Sequence, residues 1–124
     1  MPAMEPRILV VDDEAQIRGV LSDFFRQHGF QTAAAATVEE AKGLAGGTIF
    51  NLVLLDIGMA GENGLDLVPQ LKATSPSTRI LVLTGLGYDQ ELLSEALQRG
   101  VDGYVTKDLP MAELLSAVNR TLRS

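Results

Sequence analysis

Residues 51–55 (NLVLL), followed directly by Asp56, decide the fold class. The run is apolar at consecutive positions rather than at alternating ones, which is typical of a strand in a parallel sheet that helices cover on both faces. An acidic residue directly after such a run breaks its apolar character. The stretch therefore predicts a buried parallel strand with a carboxylate at its carboxyl end.

Four further apolar runs predict the other strands. Residues 7–11 (RILVV), 79–83 (RILVL) and 103–106 (GYVT) have the same short form, and a weaker, alanine-rich run lies at 30–35. Each of the five runs is followed by a stretch with apolar residues at helical spacing. This alternation predicts an α/β fold built on one doubly wound, five-stranded parallel sheet, and we expect a single domain over residues 1–124.

Local signals place several helix ends. Thr37 and Glu40 fit a capping box at the start of the second helix, which we expect to close at Gly47. The first helix is expected to end at Gly29 and the fourth at Gly100, because glycine commonly terminates helices.

Composition excludes several classes of function. The 16 acidic and 10 basic residues give a net charge of −6, which argues against direct nucleic-acid binding by this segment. The absence of cysteine and the single histidine exclude thiol chemistry, disulfides and a Cys- or His-rich zinc site. No apolar run approaches the roughly 20 residues of a membrane span, so we expect a soluble, cytoplasmic protein without membrane contact.

Polar residues come directly after four of the predicted strands. Asp12 and Asp13 follow the first strand, Asp56 the third, Thr84 the fourth and Lys107 the fifth. The carboxyl ends of parallel strands meet at one edge of a sheet, where α/β proteins bind their ligands. The sequence therefore predicts three carboxylates, a hydroxyl and an ammonium in one cleft.

Three carboxylates in one cleft need compensating positive charge. At about 5 Å separation each pair repels by about 3 kcal/mol at an effective dielectric near 20, and one lysine offsets only part of this. We expect a hard divalent cation, Mg²⁺ (or Mn²⁺), because such ions prefer oxygen ligands. The expected direct ligands are Asp13 and Asp56, with Asp12 binding directly or through water and the backbone carbonyl of Gly58 supplying another oxygen.

The same residues suit phosphoryl transfer. With the cation in place, Asp56 can attack the phosphorus of a donor in line while Lys107 neutralises charge on the phosphoryl oxygens. The product is an aspartyl phosphate, and Thr84 can hydrogen-bond one of its oxygens.

Four motifs, taken in order, resemble the receiver domains of two-component response regulators. They are the acidic pair after RILVV and the segments LLDIGMAGENG (54–64), LVLTG (81–85) and GYVTKD (103–108), and the likeness covers essentially the whole chain. The resemblance implies a CheY-like, flavodoxin-like (βα)5 fold with strand order 2-1-3-4-5.

The resemblance also implies residue roles and partners. It implies an acid pocket at Asp12 and Asp13, a phosphorylated aspartate at Asp56 and an essential lysine at Lys107. It also implies a switch hydroxyl at Thr84 and an aromatic switch at Tyr104. The domain would not be an ordinary enzyme, because it would catalyse only its own phosphorylation and dephosphorylation. The phosphoryl donor would be a sensor histidine kinase or a phosphotransfer protein. The face formed by the fourth helix, fifth strand and last helix would bind a partner or a second copy in a homodimer.

The sequence departs from the family pattern at two positions. Ala60 stands where many members carry proline, so we expect a less rigid loop after Asp56. Asp108 also stands where many members carry proline, and a cis peptide bond there would cost about 2.5–4 kcal/mol rather than under about 1 kcal/mol. Gly58 and Leu86 stand where family members tune the rate of dephosphorylation.

Other interpretations stay open at this point. Asp12, Asp13 and Glu14 could be acids in the first turn of a helix, and Tyr104 could be a half-buried strand residue. No role is expected for His28. A Mg²⁺-dependent phosphatase with an aspartate nucleophile usually carries a second acid two residues later, where this chain has Gly58.

Two more alternatives concern the whole chain. A nucleotide-binding module is indicated only weakly by Gly85 and Gly87, because Gln90 replaces the third glycine of that fingerprint. A degenerate receiver used only for protein contacts is disfavoured by the intact acid pocket. Since the chain ends just after the last predicted helix, we expect either a stand-alone receiver or a fragment of a longer regulator.

Overall fold

The computed structural model describes residues 5–58, 64–85 and 90–123. Strands and helices alternate along the chain, as expected for an α/β fold. The elements are β1 (Arg7–Val11), α1 (Ala15–Gln27), β2 (Gln31–Ala35), α2 (Val38–Gly47), β3 (Leu52–Asp56), α3 (Leu67–Thr74), β4 (Arg79–Thr84), α4 (Gln90–Gln98), β5 (Gly103–Thr106) and α5 (Met111–Arg123), with a 3-10 turn at Gly64–Asp66 before α3.

The strands form one parallel sheet in the order β2-β1-β3-β4-β5, which confirms the predicted doubly wound topology. The strands are added on opposite sides of β1, with β2 on one side and β3 on the other, and the carboxyl ends of β1 and β3 are neighbours. The register pairs Val11 with Leu55 and Asp56 with Leu83. The residue after β1 and the last residues of β3 and β4 therefore lie side by side at one edge.

Alternation along the strands divides the core between the two sheet faces. In β3, Val53 and Leu55 pack with buried residues of α2, α3 and α4, whereas Leu52 and Leu54 pack with α1 and α5. All of β3 is buried, which explains its continuous apolar sequence. Truncating Leu54 to alanine would cost about 2–5 kcal/mol, because the cavity cannot close in a close-packed core.

The helix ends follow the predicted signals with one variation. Thr37 Oγ1 accepts a hydrogen bond from the Glu40 N–H at 3.0 Å, and α2 continues through Gly47. Glu40 Oε1 accepts from the Ala36 N–H at 3.3 Å rather than from the N–H of the cap residue itself. Gly29 and Gly100 adopt φ values of 88° and 99°, a left-handed conformation that ends α1 and α4 at low cost.

Two predictions from local sequence are corrected or resolved by the helix and strand bounds. Helix α1 begins at Ala15 and has no acidic residue in its first turn, so the interpretation of Asp12, Asp13 and Glu14 as first-turn acids is wrong. The alanine-rich β2 forms, because all five of its residues pair with β1.

None of the described helices combines the length and apolar character that crossing a bilayer requires.

Polar contacts join α3, β4 and the start of β5 at the opposite end of the sheet from Asp56. The Asp102 carboxylate accepts a hydrogen bond from the Ile80 N–H at 2.8 Å. The same carboxylate lies 3.4 Å from Lys72 Nζ and 3.4 Å from Arg79 Nη1. This end of the β4–β5 pair is therefore held by side chains as well as by the backbone ladder.

Candidate functional site

Asp12 lies directly after β1 and is fully buried. Its backbone N–H donates to the Ala35 carbonyl at 3.1 Å, and its Oδ1 accepts a hydrogen bond from the Glu14 N–H at 2.8 Å. Arg18 Nη1 donates to the Asp12 carbonyl at 2.7 Å. The backbone and one carboxylate oxygen of Asp12 are thus fixed, which leaves Oδ2 for contacts with the rest of the cluster.

Asp56 is the last residue of β3 and is only 3% exposed. Its Oδ1 accepts a hydrogen bond from the Gly58 N–H at 2.8 Å, and its Oδ2 accepts from Lys107 Nζ at 3.0 Å. The chain returns against Asp56 at Gly64, where a β-carbon would lie 2.5 Å from the Asp56 carbonyl oxygen. Only glycine fits this approach without a shift of the backbone.

Lys107 follows β5 and joins the elements of the site. Its backbone N–H donates to the Thr84 carbonyl at 2.7 Å, which places the lysine at the end of β4. Its Nζ lies 2.9 Å from Asp12 Oδ2, 3.0 Å from Asp56 Oδ2 and 3.1 Å from Glu14 Oε1. One ammonium therefore contacts three carboxylates.

The pKa values of Asp12 and Lys107 reflect how little water reaches this cluster. Burial raises the pKa of Asp12, and the nearby charge of Asp56 adds to that rise against the opposing effects of the Glu14 N–H and Lys107. Burial by itself lowers the pKa of Lys107, but its contacts with Asp12, Asp56 and Glu14 outweigh burial and raise the pKa above its ordinary value. The ammonium is therefore fully charged at neutral pH, whereas the charge on Asp12 is held against a desolvation cost.

The donor set fits a hard divalent cation. Carboxylate oxygens of Asp12, Asp13 and Asp56 lie within 4.8 Å of one another, and Asp13 is the exposed member of the three. Asp12 Oδ2 is buried without a hydrogen-bond partner, since its contact with Lys107 is an ion pair that lacks hydrogen-bond geometry. An oxygen-only cluster with an unsatisfied buried carboxylate oxygen suits Mg²⁺ or Mn²⁺. The expected contribution of the Gly58 carbonyl stays a prediction.

The two predicted switch residues lie at different depths. Thr84 is the last residue of β4 and is 1% exposed, and its Oγ1 donates to the Val105 carbonyl at 3.4 Å. It directly follows Leu83, the residue paired with Asp56, so it borders the carboxylate cluster. Tyr104 in β5 is 47% exposed and stands apart from that cluster.

Three residues of the site were not singled out for it by the sequence. Glu14 contacts Lys107, Arg18 holds the Asp12 carbonyl, and Gly64 approaches Asp56. Two of these had a sequence signal, because Glu14 is a third consecutive acid after a strand and Gly64 ends a motif that already carried the family resemblance.

The remaining residues that the sequence singled out lie away from the carboxylate cluster or outside the described residues. His28 Nδ1 lies 2.8 Å from the Phe24 carbonyl, and the centroid of its ring lies 4.3 Å from that of the Phe24 ring, with the planes tilted by 38°. The expectation that His28 has no role stays a prediction. Ala60 and Leu86 lie outside the described residues. Asp108 follows Lys107 directly, and the described residues contain no cis peptide bond.

Comparison with known proteins identifies the family to which this fold belongs. The family model "Response regulator receiver domain" matches residues 8–119. The chain belongs to the response regulator receiver domain family of two-component systems. The suspected family and fold are thereby confirmed.

Individual relatives show how far the likeness extends. Protein PetR of Rhodobacter capsulatus is 41% identical over 123 residues, which are 99% of this chain and 51% of PetR. The chain spans about half the length of the curated relatives it matches. A CheY-like receiver domain protein of Methanospirillum hungatei superposes with a TM-score of 0.90 at 27% identity, over 96% of this chain and 94% of that one.

A third relative was crystallised in a chemically informative state. A response regulator protein of Burkholderia pseudomallei, with a phosphorylated aspartic acid, a calcium ion and citrate, superposes with a TM-score of 0.85. Its sequence is 29% identical, and the match covers 96% of this chain and 69% of that one.

Proposed function

We propose that this receiver domain accepts a phosphoryl group on the carboxylate of Asp56. One observation carries the proposal: Asp56 ends a central strand 3.0 Å from the Lys107 ammonium and shares a cluster with Asp12 and Asp13. Phosphoryl transfer needs a positioned nucleophile together with positive charge and oxygen ligands for a divalent cation, which this cluster brings together. The phosphorylated aspartic acid and calcium ion of the Burkholderia pseudomallei relative support the same chemistry.

In the proposed step, a carboxylate oxygen of Asp56 forms a bond to phosphorus while the bond from phosphorus to the donor breaks. With a phosphohistidine donor, the leaving group is the imidazole of a histidine kinase or a phosphotransfer protein. Lys107 donates hydrogen bonds to phosphoryl oxygens, and the Gly58 N–H continues to orient the carboxylate. A divalent cation, when held by Asp12, Asp13 and Asp56, supplies the positive charge that the transferring phosphoryl group requires.

The domain is proposed to act on itself rather than to turn over a separate substrate. Aspartate-nucleophile phosphatases usually have a second acid two residues after the nucleophile, and Gly58 offers only its backbone there. Hydrolysis of the acyl phosphate then resets the same molecule. The cytoplasm is the proposed compartment, because histidine kinases transfer their phosphoryl groups there.

Phosphorylation is proposed to change the structure through Thr84. The Thr84 hydroxyl is buried, one residue after the strand partner of Asp56, and its 3.4 Å contact with the Val105 carbonyl is long for an O–H donor. A phosphoryl oxygen offers a stronger, charged acceptor. Movement of Thr84 toward that oxygen would free space next to β5, into which Tyr104 would turn from its exposed position.

The surface that would read this change is formed by α4, β5 and α5. Leu97 and Tyr104 are exposed large apolar side chains on it, and Tyr104 borders a shallow cleft together with Leu109, Glu113 and Arg120. A partner protein or a second copy of the chain in a homodimer is the proposed occupant of this surface.

Acetyl phosphate and Mg²⁺ test the proposal, with intact mass and peptide mapping as the readout. The wild type should gain one base-labile phosphoryl group on Asp56, and chelation of the metal should prevent it. Asp56→Asn should gain none. Asp23→Asn, which removes an exposed acid on α1, should label like the wild type. Unlabelled wild type, or full labelling of Asp56→Asn, would refute the assignment.

A further inference from the structure

We propose that Glu14 is a positioning residue that occupies, on the Lys107 ammonium, the place that a phosphoryl oxygen of the incoming donor takes before transfer. In the resting molecule its carboxylate completes the contacts of Lys107, and binding of the donor displaces it into water. This inference rests on the proposed function, since it concerns how Lys107 becomes available to the phosphoryl group that is transferred to Asp56.

The argument begins with the number of donors on Lys107. An ammonium carries three N–H donors and no acceptor. Three carboxylate oxygens surround Nζ, from Asp12 at 2.9 Å, Asp56 at 3.0 Å and Glu14 at 3.1 Å. The contacts with Glu14 and Asp56 are hydrogen bonds, and Asp12 Oδ2 is an ion-pair partner of the same ammonium. Because these three oxygens already surround Nζ, a phosphoryl oxygen gains a place at Lys107 when one carboxylate withdraws.

Burial decides which carboxylate withdraws. The side chains of Asp12 and Asp56 are 0% and 4% exposed, so either carboxylate would lose its partner in a region without water. The side chain of Glu14 is 60% exposed, so its carboxylate is rehydrated as soon as it leaves. Displacing Glu14 therefore costs least.

Backbone contacts limit the movement to the Glu14 side chain. The Glu14 N–H donates to Asp12 Oδ1 at 2.8 Å, and the Glu14 carbonyl accepts from the Arg18 N–H at 3.1 Å as α1 begins. The other oxygens of Asp12 and Asp56 are likewise held, by the N–H groups of Glu14 and Gly58. A rotation of the Glu14 side chain alone releases one donor of Lys107 and leaves the rest of the cluster in place.

Two variants separate direct contact from the effect of charge. Glu14→Gln keeps the length of the side chain but removes its charge. Glu14→Asp keeps the charge but is one methylene shorter, so its carboxylate cannot reach Nζ from the same backbone position. Glu39→Gln removes an exposed acid on α2 and serves as the matched control.

The first measurement is the rate of phosphorylation against acetyl phosphate concentration at saturating Mg²⁺. Because exposed ion pairs are weak, both Glu14 variants should lower the half-saturating concentration by about two- to five-fold. The maximal rate should stay within about two-fold, since Asp12 and Asp56 still hold Lys107. Glu39→Gln should match the wild type in both values.

A second measurement needs neither metal nor phosphoryl donor. In the metal-free wild type, the Lys107 ammonium protons should exchange slowly enough with water to give an NMR signal, assigned by its loss in Lys107→Arg. Both Glu14 variants should exchange faster, and Glu39→Gln should not.

The outcomes distinguish this inference from the proposed function. Wild-type labelling with unchanged half-saturation in both Glu14 variants would overturn the role of Glu14 alone. A wild-type value in Glu14→Asp with a lowered one in Glu14→Gln would show an effect of charge at a distance and would overturn it too. Failure of the wild type to label would overturn the proposed function, and this inference with it.

Discussion

Gly64 and the main chain of Asp56 are in such close approach that a β-carbon on Gly64 would come 2.5 Å from the Asp56 carbonyl oxygen. Both partners in this contact are buried, and Asp56 is held in the β3–β4 ladder. The position of Asp56 therefore depends on a residue eight positions further along the chain.

Replacing Gly64 with alanine should lower the free energy of unfolding by about 1–3 kcal/mol, because the clash is with backbone that cannot give way. Urea denaturation of the metal-free protein measures this. Gly43 in α2 is the matched control: a β-carbon there meets nothing within 4 Å, so Gly43→Ala should instead stabilise the protein by about 0.5–1 kcal/mol. A Gly64→Ala variant as stable as the wild type would show that the chain at 64 can move aside freely.

Asp12→Asn should stabilise the metal-free protein at neutral pH. Burial raises the pKa of Asp12 above its ordinary 3.8, so the folded state binds this proton more tightly than the unfolded state. The contribution of Asp12 to stability is therefore fully present below pH 3.8 and is lost as the pH rises through the folded-state pKa. As the pH rises over this range, the unfolding free energy of the wild type should therefore fall relative to that of Asp12→Asn.

The same substitution should weaken Mg²⁺ binding by about tenfold or more, because it removes one of three charged oxygen ligands. Titration calorimetry measures the affinity, and urea denaturation from pH 3 to 7 with chelator measures the stability. A variant less stable than the wild type at every pH would contradict the reasoning from burial.

Lys107→Met should change stability and metal affinity in opposite directions. Without the ammonium, Asp12 and Asp56 are buried carboxylates with no nearby cation among their described contacts, and the unfolding free energy should fall by about 1–3 kcal/mol in chelator. Affinity for Mg²⁺ should rise by about tenfold or more, since a unit charge about 5 Å away is worth about 3 kcal/mol at an effective dielectric near 20. Lys42→Met on α2 is the control. Weaker Mg²⁺ binding by Lys107→Met would argue that the lysine organises the ligands rather than repelling the cation.

Thr84→Ala should separate phosphorylation from the response to it. Its hydroxyl contributes no charge to the cluster, so labelling of Asp56 should persist. Loss of a charge-assisted hydrogen bond should shift the phosphorylated population toward the resting conformation by about tenfold. NMR of the Tyr104 ring, with and without beryllofluoride, measures that population. Thr84→Ser retains the hydroxyl and should respond like the wild type, whereas an unaltered Thr84→Ala response would remove Thr84 from the switch.

The sheet and its acid cluster could be predicted from sequence because both follow from local patterns and one topological rule. Continuous apolar runs indicate buried strands, and parallel strands bring their carboxyl ends together. Even so, the strand bounds differ by one residue at two critical points. Asp56 and Thr84 lie inside β3 and β4 rather than after them, because the backbone pairing continues one residue beyond the apolar run.

The contacts of Glu14 and Gly64 could not be predicted in the same way. The Glu14–Lys107 contact joins residues 93 positions apart and depends on the reach of two long side chains across the ends of β1 and β5. The approach of Gly64 depends on how the 3-10 turn at Gly64–Asp66 packs against the end of β3. Neither contact produces a periodic pattern in the sequence. The sequence shows which residue stands at each position but not which distant residue it contacts.

The Asp102 contacts at the far end of β4 and β5 constrain how a response to phosphorylation can travel. Since Asp102 binds the Ile80 N–H and lies beside Lys72 and Arg79, the amino ends of these strands are anchored to α3. If Thr84 moves as proposed, the displacement is expected at the carboxyl ends of β4 and β5, because the Asp102 contacts hold their amino ends. The exposed surface near Tyr104 is therefore where the proposed change in shape should be largest, and the face around Lys72 and Arg79 should change least.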